Sequence, residues 1–342
     1  MSGRARTKRR TVAIVAACVL AASLGVSGTG AGAADKPPSD VPTGAGVAPK
    51  TDGAAGVHAQ KVAHPERAPL MAATRAGSRI VAVGDFGTVL LSDDQGASWR
   101  QAADVPTRVT LTAVQFLDAK QGWAVGHGGL VLASADGGEH WRVAHRAGTE
   151  FSFFSVHFSD AEHGLVVGAF GAAIATEDGG KTWDEITVGQ GEFSDRHLYQ
   201  IFPGPDGTTW IAAESGVVYR STDARVFAPV SLPYRGSIWG GMTLPGGAIL
   251  VWGMGGHVLR STDSGASWRE IPSGTENPLT AGLLLGKRIV LAGLGGAVLT
   301  SDDLGASFRA EIRPDRLSYT AAVESAGAPL LTSLSGVAAP RK

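Results

Sequence analysis

The apolar positions of this chain fall in short runs, and the runs recur. "TLTAVQF" (Thr110–Phe116) alternates apolar with polar residues, and "GWAVG" (Gly122–Gly126), "LVLAS" (Leu130–Ser134) and "WRVAH" (Trp141–His145) follow. Alternation at period two, in segments this short, predicts strands with one or both faces covered. "GHGG" separates the second run from the third, where glycine supplies the positive φ of a tight turn. "ADGGEH" separates the third from the fourth. The stretch predicts four antiparallel strands joined by turns.

The same phrase returns along the chain. "GDFGTVLLS" starts at Gly84, "GHGGLVLAS" at Gly126, "GAFGAAIAT" at Gly168, "AESGVVYRS" at Ala213, "GMGGHVLRS" at Gly253 and "GLGGAVLTS" at Gly293. A seventh start, "SLSGVAA", puts Gly336 forty residues after Gly296. A strand-rich unit repeating every 40 to 45 residues is a propeller blade. The expected fold is all-β: a seven-bladed β-propeller of four-stranded antiparallel blades over residues 57–342. Six blades have all four strands. The seventh has "LSYTAAV" (Leu317–Val323), "PLLTSL" (Pro329–Leu334) and a short third strand after Gly336. An open sheet edge invites unwanted pairing, so "VHAQKVA" (Val57–Ala63) is expected to supply the missing strand and close the ring.

Between the third and fourth strands sits a box, S/T-x-D-x-G-x-S/T-W/F. It pairs Asp94 with Trp99, Asp136 with Trp141, Asp178 with Trp183, Asp263 with Trp268, and Asp303 with Phe308. A short carboxylate accepts hydrogen bonds from turn amides. Five copies spread around a disc cannot converge on one substrate, so the boxes are expected to hold turns. The fourth blade's "STDARVF" (Ser221–Phe227) lacks the glycine.

Composition changes the picture mainly at the N-terminus. Arg4, Arg6, Lys8, Arg9 and Arg10 precede the apolar "TVAIVAACVLAASLGV" (Thr11–Val26), and "AGAA" (Ala31–Ala34) resembles a cleavage site. Residues 1–34 therefore read as a secretory signal peptide, with an uncleaved anchor or a lipidated Cys18 as the alternatives. Residues 35–56, rich in Pro, Gly and Ala, read as a flexible linker. Cys18 is the sole cysteine, so a cleaved chain has no disulfide and no thiol chemistry. Residues 1–34 hold five of the 30 basic residues and none of the 31 acidic ones, so the remainder is net acidic by six. That balance argues against nucleic acid as a partner. The expected location is exported, in the periplasm or outside the cell.

The box motif resembles that of BNR-repeat proteins, which include sialidases and certain glucanases. "FLDAKQGWAVGHGGLVLASADGGEHW" (Phe116–Trp141) and "FSDAEHGLVVGAFGAAIATEDGGKTW" (Phe158–Trp183) resemble more closely the blades of the Ycf48/HCF136-like family of photosystem II stability/assembly factors. The resemblance covers residues 70–342. It implies a seven-bladed propeller with an export signal. It also implies a non-enzymatic assembly role in which the protein binds a membrane-protein client or a membrane-associated complex.

Propellers usually bind on the face formed by the blade-to-blade connections and the turns between second and third strands. Here those connections offer Arg108, Arg146, Arg196, Arg235, Arg313 and Arg316, with Tyr234 and Trp239 among them. Arginine with aromatics is the composition enriched at protein interfaces, so these eight residues are the candidate partner-binding set. The turns of that face add Asp85, Phe86, His127, Phe170, Glu214 and His257. The alternative is a BNR/sialidase-like glycoside hydrolase. It would need a Tyr–Glu nucleophile pair, for which Tyr234 with Glu192 or Glu214 is the best available, but the F/Y-R-I-P stretch of sialidases is absent. No metal-ligand motif is evident among the nine His. No catalytic residue, cofactor or metal is expected.

Overall fold

The computed structural model of the protein describes residues 57–339. The signal-peptide and linker readings lie outside them. Seven antiparallel sheets follow one another along the chain. Blade two is typical: Leu111–Phe116, Gly122–Gly126, Leu130–Ser134 and Arg142–Arg146, hydrogen-bonded in that order. Six sheets have four strands and the seventh has three, Tyr319–Ser325, Ala328–Ser333 and Gly336–Val337.

The second strands explain the weak alternation of "GWAVG" and its counterparts. Gly122–Gly126, Gly164–Gly168 and Ile249–Gly253 are buried at every position, because a neighbouring blade covers each face. The apolar clusters accordingly lie between blades. One joins Val83 and Leu91 of the first blade to Leu111, Leu132 and Trp141 of the second. Another stacks Trp123 on Phe158 across the next seam, ring planes within 8°.

The closing seam between blades seven and one differs. Its fully buried apolar cluster holds only Leu70, Ala82 and Leu90. Polar contacts reinforce it. Arg75 pairs with Glu324 at 2.9 Å, Ser325 Oγ donates to Gln95 O at 2.7 Å, and Thr320 Oγ1 donates to Leu70 O at 2.7 Å.

Closure also departs from the expected N-terminal strand. Val57–Ala63 forms no strand on blade seven. It runs along the outer edge of blade one, where Ala59 N donates to Val105 O at 2.9 Å and Val62 N donates to the Gln101 side chain at 2.7 Å. Blade one's own outer strand is only Arg100–Gln101, as short as Asp184–Glu185 in blade three and Arg269–Glu270 in blade five, and the segment covers this one of the short edges. The chain reaches blade seven a few residues later, through the 3₁₀ turn Pro65–Arg67, whose Glu66 carbonyl lies against Gly336.

Candidate functional site

The five boxes are built alike and face inward on their own turns. In the fifth blade Asp263 Oδ1 accepts from Ser261 Oγ at 2.7 Å and from Ser267 N at 2.9 Å, while Oδ2 accepts from Ser267 Oγ. Ser261 Oγ in turn accepts from Gly265 N at 2.9 Å, and Trp268 Nε1 donates to Gly265 O at 3.1 Å. Asp94, Asp178 and Asp303 repeat this set, and in blade two His140 replaces the hydroxyl partner of Asp136. Trp99, Trp141 and Trp183 make the same indole bond; Phe308 has no N–H to make it. The hydroxyl and amide donors stabilise the charged carboxylates and hold Asp94, Asp263 and Asp303 down at about 2. The box glycine packs on the preceding blade: a Cβ on Gly265 would sit 2.3 Å from Trp210.

The degenerate box keeps part of this. Asp223 still accepts from Ser221 Oγ and from the amides of Arg225 and Val226. The glycine bond and the second hydroxyl are gone. Phe227 is nonetheless buried.

Several arginines on the box side of the disc are committed to ion pairs. Arg79 and Arg100 share Asp93 and Glu139, Arg225 holds Glu177, and Arg288 holds Asp302 at 2.6 Å. The outer-strand residues Arg142 and Arg269 have no side-chain partner among the described residues.

The opposite face is assembled by one contact repeated in five of the blades. The turn glycine after the second strand donates to the adjoining connection, as Gly87 N does to Val109 O, Gly171 N to Arg196 O, Gly216 N to Gly236 O and Gly296 N to Leu317 O. The connections and the turns therefore share one surface, and seven of the eight candidate residues, all but Trp239, lie on these connections or, for Arg146, at the strand end leading into one. Arg146, Arg235 and Arg316 are exposed and have no side-chain partner among the described residues. Arg196 lies 5.0 Å from the Phe193 ring, and its buried Nε has no hydrogen-bond partner. Arg108 is tied by its Nε to His58 O at 2.8 Å, so the N-terminal segment occupies part of it. Arg313 lies over the Tyr319 ring at 5.6 Å.

Tyr234 is held in place by neighbours other than the suggested carboxylates. Its hydroxyl donates to Met254 O at 2.9 Å and its ring lies 4.0 Å from that of His257. Burial and then Glu270 push its phenol up. Neither Glu192 nor Glu214 is its hydrogen-bond partner, so the Tyr–Glu pair of the hydrolase alternative is not assembled. Tyr219 and Tyr319, pushed up to about 12 chiefly by burial, bond to Phe193 O and Asp315.

Trp239 lies elsewhere, in the central channel, and explains a set the sequence reading passed over. In each of the seven blades the pairing of the first and second strands slips near the start of the first strand. Such a bulge re-aims a side chain. The residues at the slip are Met71, Thr112, Phe154, Tyr199, Trp239, Thr280 and Thr320, and all line the channel, which encloses about 320 Å³. The signal was present in the repeat: each is the second residue of the segment that follows a blade connection.

Known proteins can be set beside this geometry. Residues 98–226 match the family model described as photosynthesis system II assembly factor YCF48. A solved structure described as YCF48 bound to a D1 peptide is 17% identical, covering 82% of this chain and 95% of that one with a TM-score of 0.67. YCF48 from Cyanidioschyzon merolae is 16% identical, covering 82% and 97%, with a TM-score of 0.63. An ancestral GH74 enzyme is 15% identical, covering 73% of this chain and 39% of that one, with a TM-score of 0.58. No curated protein matches the chain. At these identities the solved structures share the fold alone, and the enzyme among them carries no activity across. The blade sequences and the match over residues 98–226 liken this chain to the Ycf48-like family of BNR-repeat propellers.

Proposed function

We propose that this protein is an exported, non-enzymatic propeller that captures a segment of a membrane-protein client on the face opposite the boxes. One contrast carries the reading. On the box side, Arg79, Arg100, Arg225 and Arg288 close onto carboxylates of the protein itself, whereas Arg146, Arg235 and Arg316 on the other face stand exposed without such partners. A guanidinium left open offers bidentate bonds to a carboxylate brought by a partner. The likeness to a YCF48 that is bound to a D1 peptide agrees with a peptide-like segment as the thing bound. Export rests on residues 1–34, whose basic and then apolar pattern is that of a signal peptide.

The test compares two variants in capture from solubilised membranes. Replacing Arg196, Tyr234 and Arg235 together by alanine is expected to weaken capture at least about tenfold, since a central arginine or aromatic anchor typically contributes about 2 kcal/mol. Replacing Arg142 and Arg269 should leave capture within about twofold, as rim-type charges do. Arg100 is unsuitable as a control because it holds Asp93 and Glu139. Circular dichroism checks that both variants fold. Loss of capture by the Arg142/Arg269 variant alone would put the function on the wrong face.

A further inference from the structure

The seven bulge residues are not equivalent. In blades two, six and seven the position is threonine, and its hydroxyl stitches the next blade in place. Thr112 Oγ1 donates to Phe153 O at 2.6 Å, Thr280 Oγ1 to Tyr319 O at 2.7 Å and Thr320 Oγ1 to Leu70 O at 2.7 Å. Blades three, four and five carry Phe154, Tyr199 and Trp239 there and give up that hydroxyl bond. The three are consecutive around the ring, so they form a contiguous aromatic arc on one side of the channel. Phe154 and Tyr199 lie parallel, 6.2 Å apart, and His197 adjoins both.

The arc continues outward to the surface. Phe170 lies 4.5 Å from His197 and is 56% exposed. Its φ is +55°, a left-handed conformation that glycine adopts at the same turn position in blades two, five and six (Gly128, Gly255 and Gly295) and that Phe86 and Ser215 adopt in blades one and four. A phenylalanine in that conformation is strained. Its packing recovers little, since most of the ring faces water. Strain held at an exposed aromatic points to contact with something else.

We propose that the channel mouth seats an apolar side chain of a partner's peptide segment against Phe154, Tyr199 and Trp239, with Phe170 at the lip. Carboxylates beside that side chain fall to Arg196 and Arg235, which lie on the connections leading into the strands of Tyr199 and Trp239. The proposal rests on the client-binding reading and specifies its ligand: an acidic segment with an apolar anchor. The channel volume is at the small end for a binding pocket and suits one or two side chains. Anionic lipid is the weaker fit, because Glu150, Glu192, Asp195, Glu276 and Asp315 stand among the arginines and offset most of the basic excess that such a surface selects.

The experiment titrates the full chain calorimetrically with two synthetic extended peptides, one alternating Glu with Phe and one alternating Glu with Ser. The Glu–Phe peptide should bind at least about tenfold more tightly. Tyr199→Thr with Trp239→Thr introduces the residue that three other blades already carry, and should remove that preference. Phe170→Gly should weaken Glu–Phe binding while raising Tm, because the turn prefers glycine; a merely structural role would lower Tm. Equal affinity for the two peptides, or undiminished Glu–Phe binding by Phe170→Gly, overturns the proposal. So does arc-dependent binding to phosphatidylglycerol vesicles with no peptide preference. If the arginine variant loses client capture while the threonine variant keeps both capture and Glu–Phe binding, the client reading stands and the anchor site falls.

Discussion

Gly216→Ala is expected to destabilise the propeller by roughly 2–5 kcal/mol, and Gly128→Ala by only about 1–2 kcal/mol. Both glycines sit in turns between second and third strands at nearly the same positive φ, +69° and +67°. The backbone penalty is therefore shared. What differs is the space. A Cβ on Gly216 would lie 1.7 Å from the carbonyl oxygen of Tyr234, while one on Gly128 would meet nothing within 4 Å. The neighbour at Gly216 is backbone and cannot swing aside. Gly216 also ties the connection from both sides, donating to Gly236 O and accepting from Leu232 N, each at 2.8 Å. Relief of the clash must push away the loop that carries Tyr234 and Arg235. Client capture should fall along with stability in Gly216→Ala and stay intact in Gly128→Ala. Urea titration of the two variants reads the first effect. Equal losses would show that the conformation, and not the close approach, is what the glycine serves.

This turn shows why so much of the fold was legible in the sequence. Each blade must bring its turn against the adjoining connection, and only glycine allows that approach, so Gly87, Gly129, Gly171, Gly216, Gly256, Gly296 and Gly336 mark the repeat unaided. The boxes are legible for the same reason, since a carboxylate, two hydroxyls and a glycine at fixed offsets satisfy one turn. The N-terminal closure was harder to read. Val57–Ala63 has little alternation, and its hydrogen bonds go to Gln101 and Val105 on the edge of blade one, long-range contacts that its own sequence does not announce. The candidate face was legible as a surface but not in its detail. That Arg108 is occupied by His58 while Arg235 stands open depends on long-range contacts. The aromatic arc went unread because threonine, methionine and aromatics at one strand position show no pattern until the bulge aligns them on the channel.

Acid should weaken the propeller from about pH 4 downward, and the doubly substituted Asp263→Asn/Asp303→Asn protein should lose stability less steeply over that range. The sign follows from the box geometry. Hydrogen bonds from hydroxyls and amides lower the folded-state values of Asp94, Asp263 and Asp303 to about 2, from an ordinary 3.8. A depressed carboxylate contributes stability that is fully present above its unfolded value and is lost as pH falls through its folded value. Each contribution is small because the carboxylates are open to solvent, but the boxes titrate in parallel and their losses accumulate. Asparagine retains an acceptor for the turn amides and removes the charge. The substituted protein should therefore melt below the wild type at neutral pH. The gap in Tm should hold constant down to about pH 5 and narrow strongly by about pH 2, where the folded wild-type side chains are themselves about half protonated. Asp160, held at about 2 by the amides of Glu162 and His163, remains in both proteins and keeps some acid sensitivity in each. A gap that persists unchanged at pH 2 would mean that the boxes act through shape and packing, with the box glycine on the neighbouring blade as the working part and the carboxylate charge incidental.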